Sequence, residues 1–206
     1  MSELPPIRSA IILLAAGNSS RMGGPKQLLP FRGKPLLRHA AEVALSSGCE
    51  PVVVVLGFRE QDVRTVLSGL TVEIAINGRW AEGMGTSIQA GLHAISSRNI
   101  CGVILTVADQ PFVTSGSLRR LLVRHQETGK NIVASRYSGT AGVPVFFSLK
   151  ALSLLHSLEP NQGCKGLIFR KLNDTEFEDC PEAAIDIDTP EDYLMLMTRP
   201  GIVEPF

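Results

Sequence analysis

Residues 14–26 read LAAGNSSRMGGPK. Ala15, Ala16 and Gly17 are small enough for a ligand to reach the backbone, and Arg21 and Lys26 add fixed positive charge. Successive main-chain N–H groups in such a loop can cradle phosphate oxygens. The segment matches neither G-x-x-x-x-G-K-[ST] nor G-x-G-x-x-G, which sets aside the P-loop and the dinucleotide fingerprint. A plain Gly-rich turn with two solvated cations is the alternative, and its position after a buried apolar run argues against it. Asp109 follows a second apolar run, residues 103–107, with Ala108 between. A carboxylate there, beside a triphosphate loop, is placed to hold Mg²⁺, which takes a few carboxylates plus phosphate oxygens and water. Asp186 and Asp188 alternate with Ile185 and Ile187, so in a strand both acids share one face. Arg136, at the end of a strand-like run, and Lys165, in a Gly-flanked stretch before a helix, could meet an anionic acceptor.

These residues need a scaffold that gathers loops at one edge. Apolar runs at 9–14, 51–56, 72–76, 103–107, 131–135, 143–147 and 184–187 read as strands. Amphipathic stretches at 35–47, 61–67, 86–96, 114–127, 150–156 and 165–172 read as helices, with Thr86 or Ser87 as a possible cap. Thr189-Pro-Glu-Asp192 reads as a further helix start. The alternation predicts an α/β, Rossmann-like three-layer sandwich with a mostly parallel sheet. Ligands of such sheets collect beyond the carboxyl ends of the strands. The loops after Leu14, Ile76 and Val107 and around Ile187 fall there. A single domain over residues 1–206 is expected, its core at about 7–197 and its ends as tails.

Lys plus Arg equals Asp plus Glu at 20 each, so no global field would draw nucleic acid or a membrane surface. No apolar run reaches membrane-spanning length, and residues 1–6 carry no signal-peptide pattern. The four cysteines show no C-x-x-C pair. A cytoplasmic protein with reduced thiols is expected.

Residues 14–26 resemble the L-A-A-G-x-S-x-R-M-G-x-x-K signature of the MobA-like NTP transferase family, and QLLP at 27–30 and GKPLL at 33–37 continue its pattern. Segments 77–92, 107–111, 142–144 and 186–192 extend the likeness, which is nearest to the molybdenum cofactor cytidylyltransferases. The resemblance implies a nucleotide-diphospho-sugar transferase type of fold and Mg²⁺-dependent transfer of a nucleoside monophosphate to a phosphorylated acceptor, with pyrophosphate released. It implies that the backbone of Leu14, Ala15, Ala16 and Gly17 binds triphosphate. Arg21 would grip the outer phosphates, Lys26 would neutralise the α-phosphate, and Gly83 and Ser87 would face the nucleobase. Asp186 (or Asp188) would complete the metal site with Asp109. Ala16 points to CTP, since Leu-Ala-Gly-Gly goes with GTP in the family.

The acceptor implied is molybdopterin or its molybdenum cofactor, with a molybdoenzyme as a possible partner. Two other readings keep the fold: a transferase acting on a sugar or polyol phosphate, and a non-catalytic molybdenum cofactor-binding chaperone. His39, His93, His125 and His156 all fall in helical stretches, in keeping with an acceptor that needs no general base.

Overall fold

Ser9–Leu14, buried along its whole length, forms the central strand β1 of a seven-stranded sheet in the computed structural model, which describes residues 8–199. Pro30–Phe31 (β2) and Lys34–Pro35 (β3) form a separate hairpin. Leu36–Leu45 (α1), Val52–Leu56 (β4), Glu60–Arg64 (α2), Glu73–Ile76 (β5), Met84–Ala94 (α3), Gly102–Val107 (β6) and Ser115–Thr128 (α4) follow. The chain continues through Ile132–Tyr137 (β7), Thr140–Ser148 (β8), Leu152–His156 (α5), Lys165–Arg170 (α6), Thr175–Asp179 (β9) and Pro190–Met197 (α7).

The strand order is β5-β4-β1-β6-β8-β7-β9, and every neighbouring pair is parallel except those that β8 makes. Strands buried on both faces need no apolar–polar alternation, which is why SAIILL and VVVVL lie at the centre. Ile12, Val53 and Phe147 face a layer built from Ile88 and Leu92 of α3, Leu155 of α5 and Ile168 of α6. Leu13 and Val54 face Leu37 and Ala41 of α1 and Val63 of α2. Ile11, Ile104 and Phe146 face Leu118 and Leu121 of α4. The result is the expected three-layer sandwich. Phe31, Leu36, Ile187 and Leu196 make a smaller cluster that fixes the β2–β3 hairpin to α7.

Strand order reverses about β1: β4 and β5 lie on one side and β6 on the other. The carboxyl ends of β1 and β6 therefore open a crevice, the usual ligand position in open α/β sheets. The loop of residues 14–26 and Asp109 leave those two strands.

Three expectations fail locally. Residues 184–187 do not form a strand: Pro181–Ala184 is a 3-10 turn, and the Ile187 N–H donates to Asp109 O at 3.0 Å. The edge strand is instead β9, TEFED, parallel to β7. Its acids hide it in the sequence, but Thr175 is buried and Phe177 partly so, as an edge strand covered on one face requires. Helix α3 begins two residues before the expected start, with Gly83 (φ 126°) as its N-cap residue, so neither Thr86 nor Ser87 caps it. The Thr189 cap does form, Asp192 N donating to Thr189 Oγ1 at 3.2 Å and Thr189 N to Asp192 Oδ2 at 2.8 Å. The expected tail at 1–6 and most of that at 198–206 lie outside the described residues.

Candidate active site

The loop after β1 is fixed from three sides. The Ala15 N–H donates to Val55 O (2.9 Å) and the Phe58 N–H to Ala16 O (3.0 Å), which ties the loop to the end of β4. Gly57 sits behind it, and a Cβ there would lie 2.6 Å from Trp80 Cβ and 2.9 Å from Ala16 O, so this crossing needs glycine. Gln27, 3% exposed, donates from Nε2 to Ala15 O (2.8 Å) and Gly17 O (3.0 Å). The loop turns through Ser19 in a left-handed conformation (φ 52°), and Ser19 Oγ accepts from the Lys26 N–H at 3.2 Å.

Lys26 Nζ lies at the centre of the charges. It donates to Asp109 Oδ2 (2.6 Å), Asp188 Oδ1 (2.8 Å) and Ile187 O (2.9 Å). Arg21 Nη2 meets the other Asp188 oxygen at 2.9 Å, so Arg21, Asp188, Lys26 and Asp109 alternate in sign along one line. Burial works against the Lys26 charge, but the Asp109 and Asp188 carboxylates outweigh it and hold its pKa above the ordinary lysine value. The hydrogen bond from Lys26, with help from Arg21 and against burial, holds Asp188 below the usual carboxylate range. Asp186 behaves oppositely. Burial, and the nearby charges of Asp109 and Asp188, push its carboxyl up.

Around this centre lies a cleft of about 430 Å³. Leu14, Ala15, Ala16, Gly17, Arg21, Lys26, Ser87 and Asp109, all singled out in the sequence, line it, as does Asp188. The other expected residues lie elsewhere. Gly83 packs against the 160–161 turn, where a Cβ would sit 2.7 Å from Asn161 Cα. Arg136 is exposed and paired with Asp179 at 2.7 Å. Lys165 is exposed at the first position of α6. Asp186 is exposed as a residue, and among the described residues no hydrogen bond or ion pair joins it to the Lys26 chain, although its partly shielded carboxyl lies near enough to feel the charges of Asp109, Asp188 and Lys26.

Two residues of this site escape a sequence reading. Gln27 is one. Asn77, 5% exposed, is the other: its Nδ2 donates to Thr86 Oγ1 (2.8 Å) and Ser87 Oγ (2.9 Å) and so fixes both hydroxyls inside the first turns of α3. Their signal was position alone, a polar residue just after Lys26 and just after the strand β5.

Asp109 Oδ1 is buried with no donor among the described residues. A buried acceptor without a partner calls for an explanation, and a divalent cation between Asp109 and Asp188 would supply one. Among the described residues no three or more His, Cys, Asp or Glu side chains form a metal group. Two carboxylates suit an ion that draws its remaining ligands from phosphate and water.

The family model described as the MobA-like NTP transferase domain matches residues 11–175, which takes in the loop, Lys26 and Asp109 but stops short of Asp188. The chain is 41% identical over 126 residues to the nicotine blue oxidoreductase of Paenarthrobacter nicotinovorans, a stretch covering 61% of this chain and 60% of that relative. It is 26% identical over 190 residues to the molybdenum cofactor cytidylyltransferase of Escherichia coli, covering 91% of this chain and 95% of the relative. The crystal structure of Rv0371c from Mycobacterium tuberculosis superposes with a TM-score of 0.81 at 26% identity, covering 94% of this chain and 99% of that one. A complex of Rv0371c with manganese also matches, with a TM-score of 0.74 at 25% identity and 92% and 97% coverage. Among the described residues no helix is long and apolar enough to cross a membrane. Fold, loop and family model agree: the chain belongs to the MobA-like NTP transferase family.

Proposed function

We propose that this chain transfers CMP from CTP to a phosphorylated acceptor of the molybdopterin class, releasing pyrophosphate with the help of Mg²⁺ or Mn²⁺. One observation carries the reading: Lys26 Nζ lies between Asp109 and Asp188 beneath a small-residue loop, with Asp109 Oδ1 left free. The Ala16 and Asn18 N–H groups, which have no acceptor among the described residues, take phosphate oxygens. Arg21, 65% exposed at the cleft mouth, reaches the outer phosphates. Asp109 and Asp188 would hold the cation, which when bound would offset the negative charge of the triphosphate. An acceptor phosphate oxygen attacks the α-phosphorus, and the bond from that phosphorus to the bridging oxygen breaks. The electron pair leaves with pyrophosphate. Lys26 stabilises the charge that builds on the α-phosphate oxygens. No proton moves, in keeping with a cleft that no histidine lines among the described residues.

Base choice follows from the far side of the cleft. Because Ser87 Oγ accepts from Asn77, its own proton is free for an acceptor atom of the base. Cytosine offers two acceptors on one ring. Guanine has a second ring and an additional amine to satisfy. Each mismatch of a buried polar group costs about 1–3 kcal/mol, so CTP should exceed GTP and ATP in kcat/KM by tens-fold or more. The check is kcat/KM for each triphosphate with a molybdopterin acceptor. Preference for a purine would overturn the cytidylyl assignment and leave nucleotidyl transfer standing.

The 41% identity to an oxidoreductase favours a second reading, hydride chemistry on this fold. Oxidation of NADPH or NADH by the purified chain, with an added quinone-type acceptor to take the hydride and no triphosphate present, would support it. Triphosphate turnover without such oxidation supports the first.

A further inference from the structure

Gln27 holds the triphosphate loop in a way the sequence does not announce. Its Nε2 gives one proton to Ala15 O and the other to Gly17 O, at 2.8 and 3.0 Å. The opposite amide orientation would set oxygen against two carbonyls, so the assignment is fixed by chemistry. A trans peptide points its N–H opposite its C=O. Holding Ala15 O and Gly17 O therefore turns the N–H groups of Ala16 and Asn18 away from Gln27. Those two N–H groups have no acceptor among the described residues, and both residues line the cleft.

The rest of the side chain argues against a packing role. Gln27 Oε1 is buried with no partner among the described residues, which a Met or Leu of similar volume would avoid. The same side chain is 3% exposed, in a short 3-10 turn that begins at Lys26. We infer that Gln27 is a positioning residue, which presets the Ala16 and Asn18 N–H groups for the phosphates of the nucleotide and has no direct part in the chemistry. This rests on the proposed reading of the cleft as a triphosphate site.

The test compares wild type, Gln27→Met and Gln27→Asn in the full chain. CTP binding in the presence of Mn²⁺ is measured by calorimetry, and amide exchange is followed across residues 15–18. For Gln27→Met the expected result is at least a tenfold rise in Kd for CTP, with the KM for acceptor within twofold of wild type. Amide exchange should quicken at residues 16–18 and stay unchanged in the central strands. Gln27→Asn keeps the amide but is one methylene too short to span both carbonyls. It should fall between, and it decides the matter if the Met variant does not fold. Wild-type-like CTP affinity in the folded Met variant, or in the Asn variant if that alone folds, would overturn the inference and leave the nucleotide reading intact. If wild type binds no nucleoside triphosphate, the nucleotide reading fails and takes this inference with it.

Discussion

Asp109→Asn should lower kcat by on the order of 10³ while the protein stays folded. Asp109 sits two residues past the end of β6, where burial of the strand fixes the backbone and the Ile187 N–H holds the Asp109 carbonyl. Its carboxylate is 20% exposed, with one oxygen on Lys26 and the other without a donor among the described residues. Asparagine keeps the shape and loses the charge, so a cation placed there loses half of its protein carboxylates. Changes in groups that merely orient metal ligands cost about 10- to 100-fold, and loss of a ligand itself should cost more. Asp188→Asn should follow with a smaller loss, since Asp188 is 40% exposed and shared with Arg21. Asp186→Asn should stay within a few-fold of wild type. The measurements are kcat in Mg²⁺, Kd for Mn²⁺ and thermal melting for all three variants. Near-normal turnover of Asp109→Asn, or an Asp186 effect larger than that of Asp188, would contradict the assignment.

Lys26→Met should do two opposite things: abolish most turnover and strengthen metal binding in the absence of nucleotide. The ammonium now occupies the space between Asp109 and Asp188, a position that a divalent cation would share. A unit positive charge about 4 Å from another repels it by about 4 kcal/mol at an effective dielectric of 20, per unit of charge. Even after screening by water in an open cleft, its removal should tighten Mn²⁺ binding at least tenfold. Turnover should drop by about 10²–10³, since in the proposed reaction Lys26 acts on charge that develops in the transition state. Without metal the variant should be less stable, because two carboxylates then face each other, and added Mn²⁺ should restore it.

The sign of the pH dependence follows. The Asp188 pKa is depressed, so the stability it contributes is present above the unfolded carboxylate value and is lost as pH falls through its lowered pKa. The Lys26 pKa is raised, so its contribution is present below the unfolded lysine value and is lost as pH rises through the raised one. Between those limits the difference in stability between wild type and Lys26→Met should be flat. Calorimetric titration with Mn²⁺ and melting from pH 5 to 9 test both points. Unchanged Mn²⁺ affinity would show that Lys26 does not guard the carboxylates.

Most of the scaffold was legible because its signals are local. SAIILL and VVVVL could be little other than strands buried on both faces, and the Thr189 cap carried its own chemistry. The loop and Asp109 were legible because each follows such a strand. What stayed hidden depends on contacts distant in the chain. Asp188 could not be told from Asp186 by alternation, since residues 185–188 lie off the sheet and Ile187 is drawn into a core with Phe31, Leu36 and Leu196. The partners of Gln27 lie 10 and 12 residues away, and its burial is set by the fold. Arg136 was placed correctly at a strand's carboxyl end, but Asp179 on β9, a strand the sequence did not suggest, claims its guanidinium. Gly83, expected beside the base, packs against the 160–161 turn, a contact that no local signal announces.

The most direct test of nucleotidyl transfer is to follow pyrophosphate and product together. The purified chain is incubated with CTP, Mg²⁺ and a molybdopterin acceptor, and both products are quantified over time. Pyrophosphate should appear in equimolar step with a CMP-linked acceptor, and should vanish when acceptor or divalent cation is withheld. Absence of pyrophosphate from every triphosphate, across phosphorylated acceptors of the pterin, sugar and polyol types, in protein shown to be folded, would contradict it.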